Sequence, residues 1–463
     1  MERQIQRVGL FFLAGFAVLA LASGYWQVWR GRTLAAAAGN PRVIEEERRA
    51  LRGRILDRAG QVLVESVDGE RRAYRPSLAH ATGYFSYRYG VTGIERAYHG
   101  VLSGREGVSA ATAFLRELSG APRRGGDVQL TVDSGLQEVA DRALGDVRGA
   151  VVLLDVRTGA VLALLSKPYF DPGRVDEAWS SLSSDAARPL YNRVSQGLYV
   201  PGSTFKVVTA VAALDSGLLQ PSTMVEDRTG EVIVDGFRIT DAERPPRPTF
   251  DFAHGFAWSS NVVFAQVGLQ LGEARLREYA ERFGMGRQLP FELETSPTSI
   301  ARTSPMPPVL LASTAFGQGE LLMSPLQMAL VAATVGRDGD VPRPHIVAEA
   351  RGPTGAVLQR TRPASLGRAM SPTTARQMRE MLALAVEAGF GQRAAIPGVR
   401  VGGKTGTAQS VPGMPDHSWF IGLAPIEQPR LAIAVLMEFS GWGSQEAAPV
   451  ARQVLERALQ VVK

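Results

Sequence analysis

The sequence predicts an α/β protein: one sheet domain covered on both faces by helices, with a smaller unit and a single hydrophobic helix ahead of it. Three observations carry that prediction. Two apolar runs joined by a tight turn (AVVLLDV, Arg157-Thr158-Gly159, AVLALLS) open the C-terminal two thirds of the chain, and two more strand-like runs, 419–424 and 431–437, close it. Runs that are apolar throughout suit strands covered on both sides. Between the two pairs lie stretches with helical apolar spacing, at 205–214, 252–271, 273–283 and 325–335, and strands flanking helices in this way make a layered α/β domain. Finally, 463 residues exceed one ordinary domain and imply two or three units.

Taken in order, residues 8–28 (VGLFFLAGFAVLALASGYWQV) form an almost unbroken apolar run, long enough to cross a bilayer as a helix. Tyr25, Trp26 and Trp29 cluster at its far end like interfacial aromatics. Bulky side chains stand where small residues would mark a cleavage site, so the run is read as an uncleaved anchor with its short N-terminus in the cytoplasm. Residues 33–49 are Ala-rich, then charged, and are expected to be helical. Residues 52–64 read as strand, turn and strand, with Asp57 and Gly60 at the turn. A Gly- and Tyr-rich segment follows at 83–104, a helix at 109–118, and a linker at 121–126. Residues 128–132 are strand-like, and Asp133 or Ser134 caps the next helix, whose apolar face is Leu136, Val139, Ala140, Ala143 and Leu144. The chain closes with an amphipathic helix at 447–462.

Composition narrows the chemistry. With 45% hydrophobic and 21% charged residues the chain is globular. A formal charge of +6 suits an anionic surface such as a membrane or cell-wall polymer. The arginines are scattered and no zinc knuckle or RNP-like segment is present, which argues against nucleic acid. The absence of cysteine excludes disulfides and thiol catalysis. The five histidines show no metal-binding spacing, so neither a metal nor a cofactor is expected.

Lysine is the informative residue. Only Lys167, Lys206, Lys404 and Lys463 occur among 51 basic residues. Arginine serves wherever a cation is enough, but it does not lose its proton in a protein, whereas a buried lysine does. Two of the four fall in one pattern: Ser203-Thr204-Phe205-Lys206, then Ser259-Ser260-Asn261, then Lys404-Thr405-Gly406-Thr407. Their starts are separated by 56 and 145 positions. Tyr199-Val200-Pro201-Gly202 breaks structure ahead of Ser203, so a helix begins at or just before it and sets Ser203 and Lys206 on one face. A serine hydroxyl is a weak nucleophile until a base takes its proton, and burial or a neighbouring cation makes lysine such a base. The helix N-terminus and a nearby Lys404 both favour neutral Lys206. Alone, S-x-x-K usually means a capping serine and a solvated lysine, the Ser/Asn triplet a helix interruption, and K-T-G a glycine turn. Their conjunction in this order matches the pattern of penicillin-recognising serine enzymes.

On these residues the chain resembles the class B penicillin-binding proteins. The likeness extends to Arg52-Gly-Arg-Ile-Leu-Asp57-Arg-Ala-Gly60, Gly93-Ile-Glu95 with Tyr98 and Leu102-Ser-Gly104, Leu130-Thr-Val-Asp133 with Leu136-Gln137, Asn192-Arg193 with Gln196-Gly-Leu-Tyr199, and Gly317-Gln-Gly319 with Pro325-Leu-Gln-Met-Ala329. Val200 departs from it, standing where the family usually has proline. The resemblance implies a transpeptidase domain of the penicillin-binding-protein/serine β-lactamase-like α/β fold, a small α+β pedestal of the compact subgroup, and no N-terminal glycosyltransferase. It divides the chain into a cytoplasmic stub (1–7), a transmembrane helix (8–28), a pedestal (29–145) and a transpeptidase domain (146–463). It further implies that Ser203 attacks the D-Ala-D-Ala carbonyl of a peptidoglycan stem peptide and that an amine of a neighbouring stem resolves the acyl-enzyme. Lys206 would be the base, Ser259 a proton relay, and Asn261 a holder of the substrate amide. Lys404, Thr405, Gly406 and Thr407 would form the substrate-binding strand, with the N–H groups of Ser203 and Thr407 as the oxyanion hole. β-Lactams would acylate the same serine. The implied location is the bacterial cytoplasmic membrane with the catalytic domain outside, and the implied partner a multi-pass membrane glycosyltransferase of the shape, elongation, division and sporulation group. The alternatives are a β-lactam-sensing receptor and a D,D-carboxypeptidase or β-lactamase-like hydrolase. The latter needs a water-activating base that the sequence does not display.

Overall fold

A computed structural model describes residues 2–30, 49–243, 245–409 and 413–462. Residues 33–48 of the helix expected over 33–49 lie outside them. The N-terminal helix spans Glu2–Gly24 and continues as a π-helical turn, Tyr25–Trp29. Its apolar side chains are exposed along their length (Phe11 77%, Leu13 72%), and Arg3–Gln27 is long and apolar enough to span a membrane.

The centre of the larger unit is a five-stranded antiparallel sheet. Its edge-to-edge order is Gly402–Ala408, His417–Ala424, Leu431–Met437, Gly149–Asp155, Val161–Lys167. The two ends of the region thus meet in the middle, where Leu431–Met437 pairs with Gly149–Asp155 residue for residue. Alternation along the strands sorts the core. Val151, Leu153, Leu165, Phe420, Ile433 and Val435 face one side, where Leu136, Ala140 and Leu144 of helix Ser134–Leu144 and Val454, Leu455 and Ala458 of helix Ala447–Val461 cover them. Ala150, Val152, Leu154, Ile421, Ala434 and Leu436 face the other, under helices Lys206–Asp215, Pro325–Gly336 and Pro372–Glu387. The expected strands and the helices expected at 205–214, 325–335 and 447–462 are therefore present, and Asp133 is the cap: its carboxylate accepts from the N–H groups of Gly135 and Leu136.

The smaller unit is built on a six-stranded sheet. Four strands come from the N-terminal part (Ile55–Leu56, Val62–Val67, Glu70–Ala73, Val128–Leu130), but the hairpin Val347–Arg351/Val357–Arg360 completes it from far along the chain. A division at 145/146 therefore runs through this sheet's hydrogen bonds, since Val347 and Ala350 pair with Leu130 and Val128. Asp57 holds the first turn, accepting from Ala59 and Gln61 N–H and from the Ser134 hydroxyl (2.9, 2.8 and 2.7 Å). Glu95 is fully buried between Arg52 and Arg71, each 2.6 Å away. Burial opposes its charge, but the two guanidinium groups outweigh this and hold its pKa below the usual carboxylate range. Removing one partner of such a buried set costs about 3–5 kcal/mol. Arg52 and Glu95, from separate motifs of the smaller unit, are thus one electrostatic clasp.

Candidate active site

Two segments converge on the Gly402–Ala408 edge of the sheet. The first is the turn before helix Lys206–Asp215. Gly202–Phe205 is a 3-10 turn, so the α-helix begins at Lys206 rather than at Ser203. Gly202 has φ +55° and lies against strand residue Thr407, whose carbonyl oxygen would be 2.6 Å from any Cβ added at Gly202. Gly406 packs as closely, with Pro201 O 2.8 Å from a hypothetical Cβ. The glycine of K-T-G is therefore required by contact between the strand and the turn that holds Ser203. Upstream, Glu438 accepts from Arg193 Nε (2.8 Å) and the Tyr199 hydroxyl (2.7 Å), which fixes the run into Ser203. At Val200 the carbonyl accepts from Trp419 Nε1, 3.0 Å away.

The second segment departs from the sequence expectation. One helix across 252–271 was predicted; instead Phe252–Ala257 ends, and a new helix, Asn261–Arg282, starts. Asp251 caps the first helix, and Ser260 Oγ caps the second by accepting from Val263 N–H at 3.0 Å. Small polar side chains compete for backbone groups at helix ends, which an apolar periodicity does not register. The break sets Ser259 at φ +59°, a conformation costing a non-glycine residue about 1–3 kcal/mol and concentrated at functional sites. The same helix bends again at Gly272 (φ 76°, ψ 161°), so 252–271 and 273–283 stay distinct stretches.

The break aims Ser259 and Asn261 at the first segment. Lys206 Nζ lies 3.1 Å from Ser203 Oγ, 2.6 Å from Ser259 O, 3.1 Å from Ser259 Oγ and 2.8 Å from Asn261 Oδ1. Four oxygens surround a group with at most three hydrogens, and two of them, Ser259 O and Asn261 Oδ1, only accept. A neutral amine satisfies both and keeps its lone pair for a hydroxyl hydrogen of Ser203. Burial holds the Lys206 pKa well below the usual ammonium range, and the charge of Lys404 adds to this. Lys404, also fully buried, donates to Ser259 Oγ (2.9 Å) and Thr405 O (3.1 Å), and burial pushes its pKa down to about 7. Ser259 thus bridges the two lysines.

Every residue singled out from the sequence, namely Ser203, Lys206, Ser259, Asn261, Lys404, Thr405, Gly406 and Thr407, lies within this cluster. Ser203, Ser259, Asn261, Thr405 and Thr407 line a common cleft, joined by Trp258, Phe316, Gln318, Phe390, Trp442 and Glu243. These last side chains were not picked out in the sequence. Gln318 sits in the Gly317–Gly319 motif and Trp258 beside the triplet, but the others carry no local signal. A larger cavity of about 530 Å³ lies between pedestal and sheet domain, away from the lysines. Among the described residues no group of three metal-ligating side chains occurs.

Comparison with known proteins agrees with this arrangement. The family described as the penicillin binding protein transpeptidase domain matches residues 149–456, and that described as the penicillin binding protein A dimerisation domain matches residues 52–128. The chain is 33% identical over 495 residues to the peptidoglycan D,D-transpeptidase PbpA of Mycolicibacterium smegmatis, covering 99% of both. Among solved structures, penicillin-binding protein A of M. tuberculosis as a ceftriaxone acyl-enzyme superposes with TM-score 0.84 at 33% identity, over 90% of this chain and 100% of that one. Its penicillin G acyl-enzyme superposes with TM-score 0.82 at 32% identity, over 89% of this chain and 100% of that one.

Proposed function

The chain belongs to the class B penicillin-binding proteins, and from that membership we propose how its three clustered motifs carry out the reaction. The protein is a serine peptidoglycan D,D-transpeptidase that binds stem peptides and β-lactams. Ser203 Oγ is the nucleophile and Lys206 its base. As Oγ attacks the penultimate D-Ala carbonyl, its proton passes to Lys206 Nζ. The carbonyl oxygen becomes an oxyanion held by the N–H groups of Ser203 and Thr407, which preorganised donors stabilise without rearrangement. Ser259 relays a proton to the departing nitrogen, the C–N bond breaks, and the last D-Ala leaves. The amine of a second stem then attacks the ester carbonyl and gives its proton to Lys206, the C–Oγ bond breaks, and Lys206 passes the proton to Oγ, which restores Ser203. Lys404, Thr405 and Thr407 receive the terminal carboxylate. A carboxylate entering beside Lys404 favours its cationic form, and one of its three ammonium hydrogens is left over from Ser259 and Thr405. Asn261 binds the substrate amide by turning Nδ2 from Thr240 O, 2.9 Å away, to the incoming carbonyl.

The observation that carries this reading is the placement of Lys206 Nζ between Ser203 and Ser259. Mass spectrometry after penicillin treatment tests the assignment. The adduct is expected on the peptide holding residues 199–206 and is lost in Ser203→Ala; an adduct elsewhere, or undiminished labelling of that variant, refutes it.

Residues 29–145 serve as the pedestal and 146–463 as the transpeptidase domain, with the 347–360 hairpin tying one to the other. The apolar helix anchors the protein in the cytoplasmic membrane, with residues 1–7 inside and the catalytic domain outside. A transpeptidase without a polymerase of its own needs glycan strands made elsewhere. The partner is accordingly a multi-pass membrane glycosyltransferase, contacted through the anchor and pedestal; Gly9, Ala14, Gly15, Ala17, Ala20, Ala22, Ser23 and Gly24 permit close helix packing.

A further inference from the structure

One helix of the smaller unit leaves its apolar face uncovered. The helix expected at 109–118 is present as Ala110–Ser119. Local caps bound it: Ser109 Oγ accepts from Thr112 N–H at 3.1 Å, and Gly120 follows in the left-handed region at φ +65°. Ala111, Phe114, Leu115 and Leu118 recur at the spacing of a single helix face. All four are exposed, the three large ones by 61%, 64% and 70%. Thr112, Arg116 and Ser119 share a neighbouring face, and Ala113 stands opposite the stripe. A face so patterned needs a partner, because periodic apolar side chains held in water have no burial to stabilise them.

The segment that carries this helix leaves the body and rejoins it at one place. Gly104 lies against Arg124, whose carbonyl oxygen would be 2.2 Å from any Cβ added there. Leu51 closes the root: its N–H donates to Arg123 O (2.8 Å) and its carbonyl accepts from Gly125 N–H (2.7 Å). Leu51 is also where the chain arrives from the membrane-length helix, whose last turn is Tyr25–Trp29. Residues 31–50 join the two and reach about 70 Å at most. The uncovered helix therefore springs from the point at which the chain comes from its anchor. Residues 104–125 carry four arginines against two glutamates, a balance that suits anionic lipid headgroups.

We propose that helix Ala110–Ser119 is a second membrane contact, lying in the headgroup region with Ala111, Phe114, Leu115 and Leu118 toward the acyl chains. The partner is a lipid surface rather than a protein groove, because the stretch of chain that roots the helix also leads to the one surface already assigned to lipid. An interfacial helix of this kind buries its apolar face only about 5–10 Å deep, which a short helix on a two-legged stalk reaches without unfolding the unit that carries it. The inference rests on residues 8–28 being the membrane anchor, and its test separates the two.

The full chain in vesicles of phosphatidylethanolamine and phosphatidylglycerol provides that test. The chain has no cysteine, so a fluorophore attaches only where a cysteine is introduced. On Leu115→Cys the fluorophore is expected to lose its quenching by aqueous iodide and to gain quenching by lipids brominated on their acyl chains. On Ala113→Cys it should keep the first and lack the second. Adding Phe114→Glu and Leu118→Glu should return the label on Leu115→Cys to water while penicillin acylation stays at the wild-type rate, which shows that the protein still folds. A chain that floats with the vesicles while its Leu115→Cys label stays open to iodide overturns the docked helix and leaves the anchor standing. A chain that does not float overturns both. Shielding from iodide without quenching by brominated lipid, or shielding that grows with the number of chains per vesicle, assigns the face to a protein and overturns the lipid contact.

Discussion

At the scale of single residues, the site turns on two buried lysines with different duties. Lys206 Nζ lies beside Ser203 Oγ, with its pKa held well below the usual ammonium range; Lys404 touches Ser259 and the strand carbonyl that borders the cleft. Arginine keeps the cation but surrenders the base. Lys206→Arg is therefore expected to slow acylation by about 10²–10⁴-fold, the range of general base catalysis. Lys404→Arg, which retains a carboxylate-binding cation, should be milder. Stopped-flow rates with fluorescent penicillin make the comparison, and equal losses would remove Lys206 from the role of unique base. The lysine economy of the chain made both positions legible beforehand.

At the scale of elements, catalysis depends on turns that the helices and strands force together. Ser259 owes its direction to the break between Phe252–Ala257 and Asn261–Arg282, and Ser203 to a 3-10 turn wedged under strand Gly402–Ala408. Gly317 supports that wedge from the other side: at φ +100°, a Cβ there would lie 1.7 Å from Gly202 O. Gly317→Ala must push the nucleophile turn away, and a misplacement of about 1 Å costs about 10²-fold in rate. The expected result is penicillin acylation about 100-fold slower in a protein that still folds. Gly60→Ala is the control, since it too has positive φ (+84°) but nothing within 4 Å, so it pays conformational strain without displacing the site. If both variants acylate at the wild-type rate, the wedge does not set the position of Ser203.

At the scale of the whole molecule, the catalytic unit is stitched to its pedestal. Hairpin 347–360 completes the pedestal sheet, and Gln137 joins the Pro76–Leu78 turn to the catalytic sheet through Ser77 O and Leu164 O (2.8 and 2.9 Å). Exchanging residues 8–28 for an unrelated membrane helix tests how much of the partnership runs through the anchor. The exchanged chain is expected to stay membrane-bound but to lose co-purification with the polymerase from detergent. If it still recovers the polymerase and supports growth, the helix only tethers, and the pedestal carries the contact.

The sequence by itself determined the elements and the chemistry. Apolar runs and their spacing placed four of the five strands of the central sheet, several of the helices over them and the membrane-length helix, because burial writes periodicity into the chain. Three ordered motifs placed all eight candidate residues, because a lysine base and its serine cannot be exchanged for similar residues without losing the reaction. What depended on contacts between distant segments was left to the tertiary structure. The helix break at Ser259 is set by caps against a continuous apolar pattern, and the 347–360 hairpin joins a sheet whose other strands lie more than 200 positions earlier. The lowered pKa of Lys206 follows from burial and from the neighbouring Lys404. A sequence records which groups a chain has; desolvation and proximity, which decide their charge, exist only once it has folded.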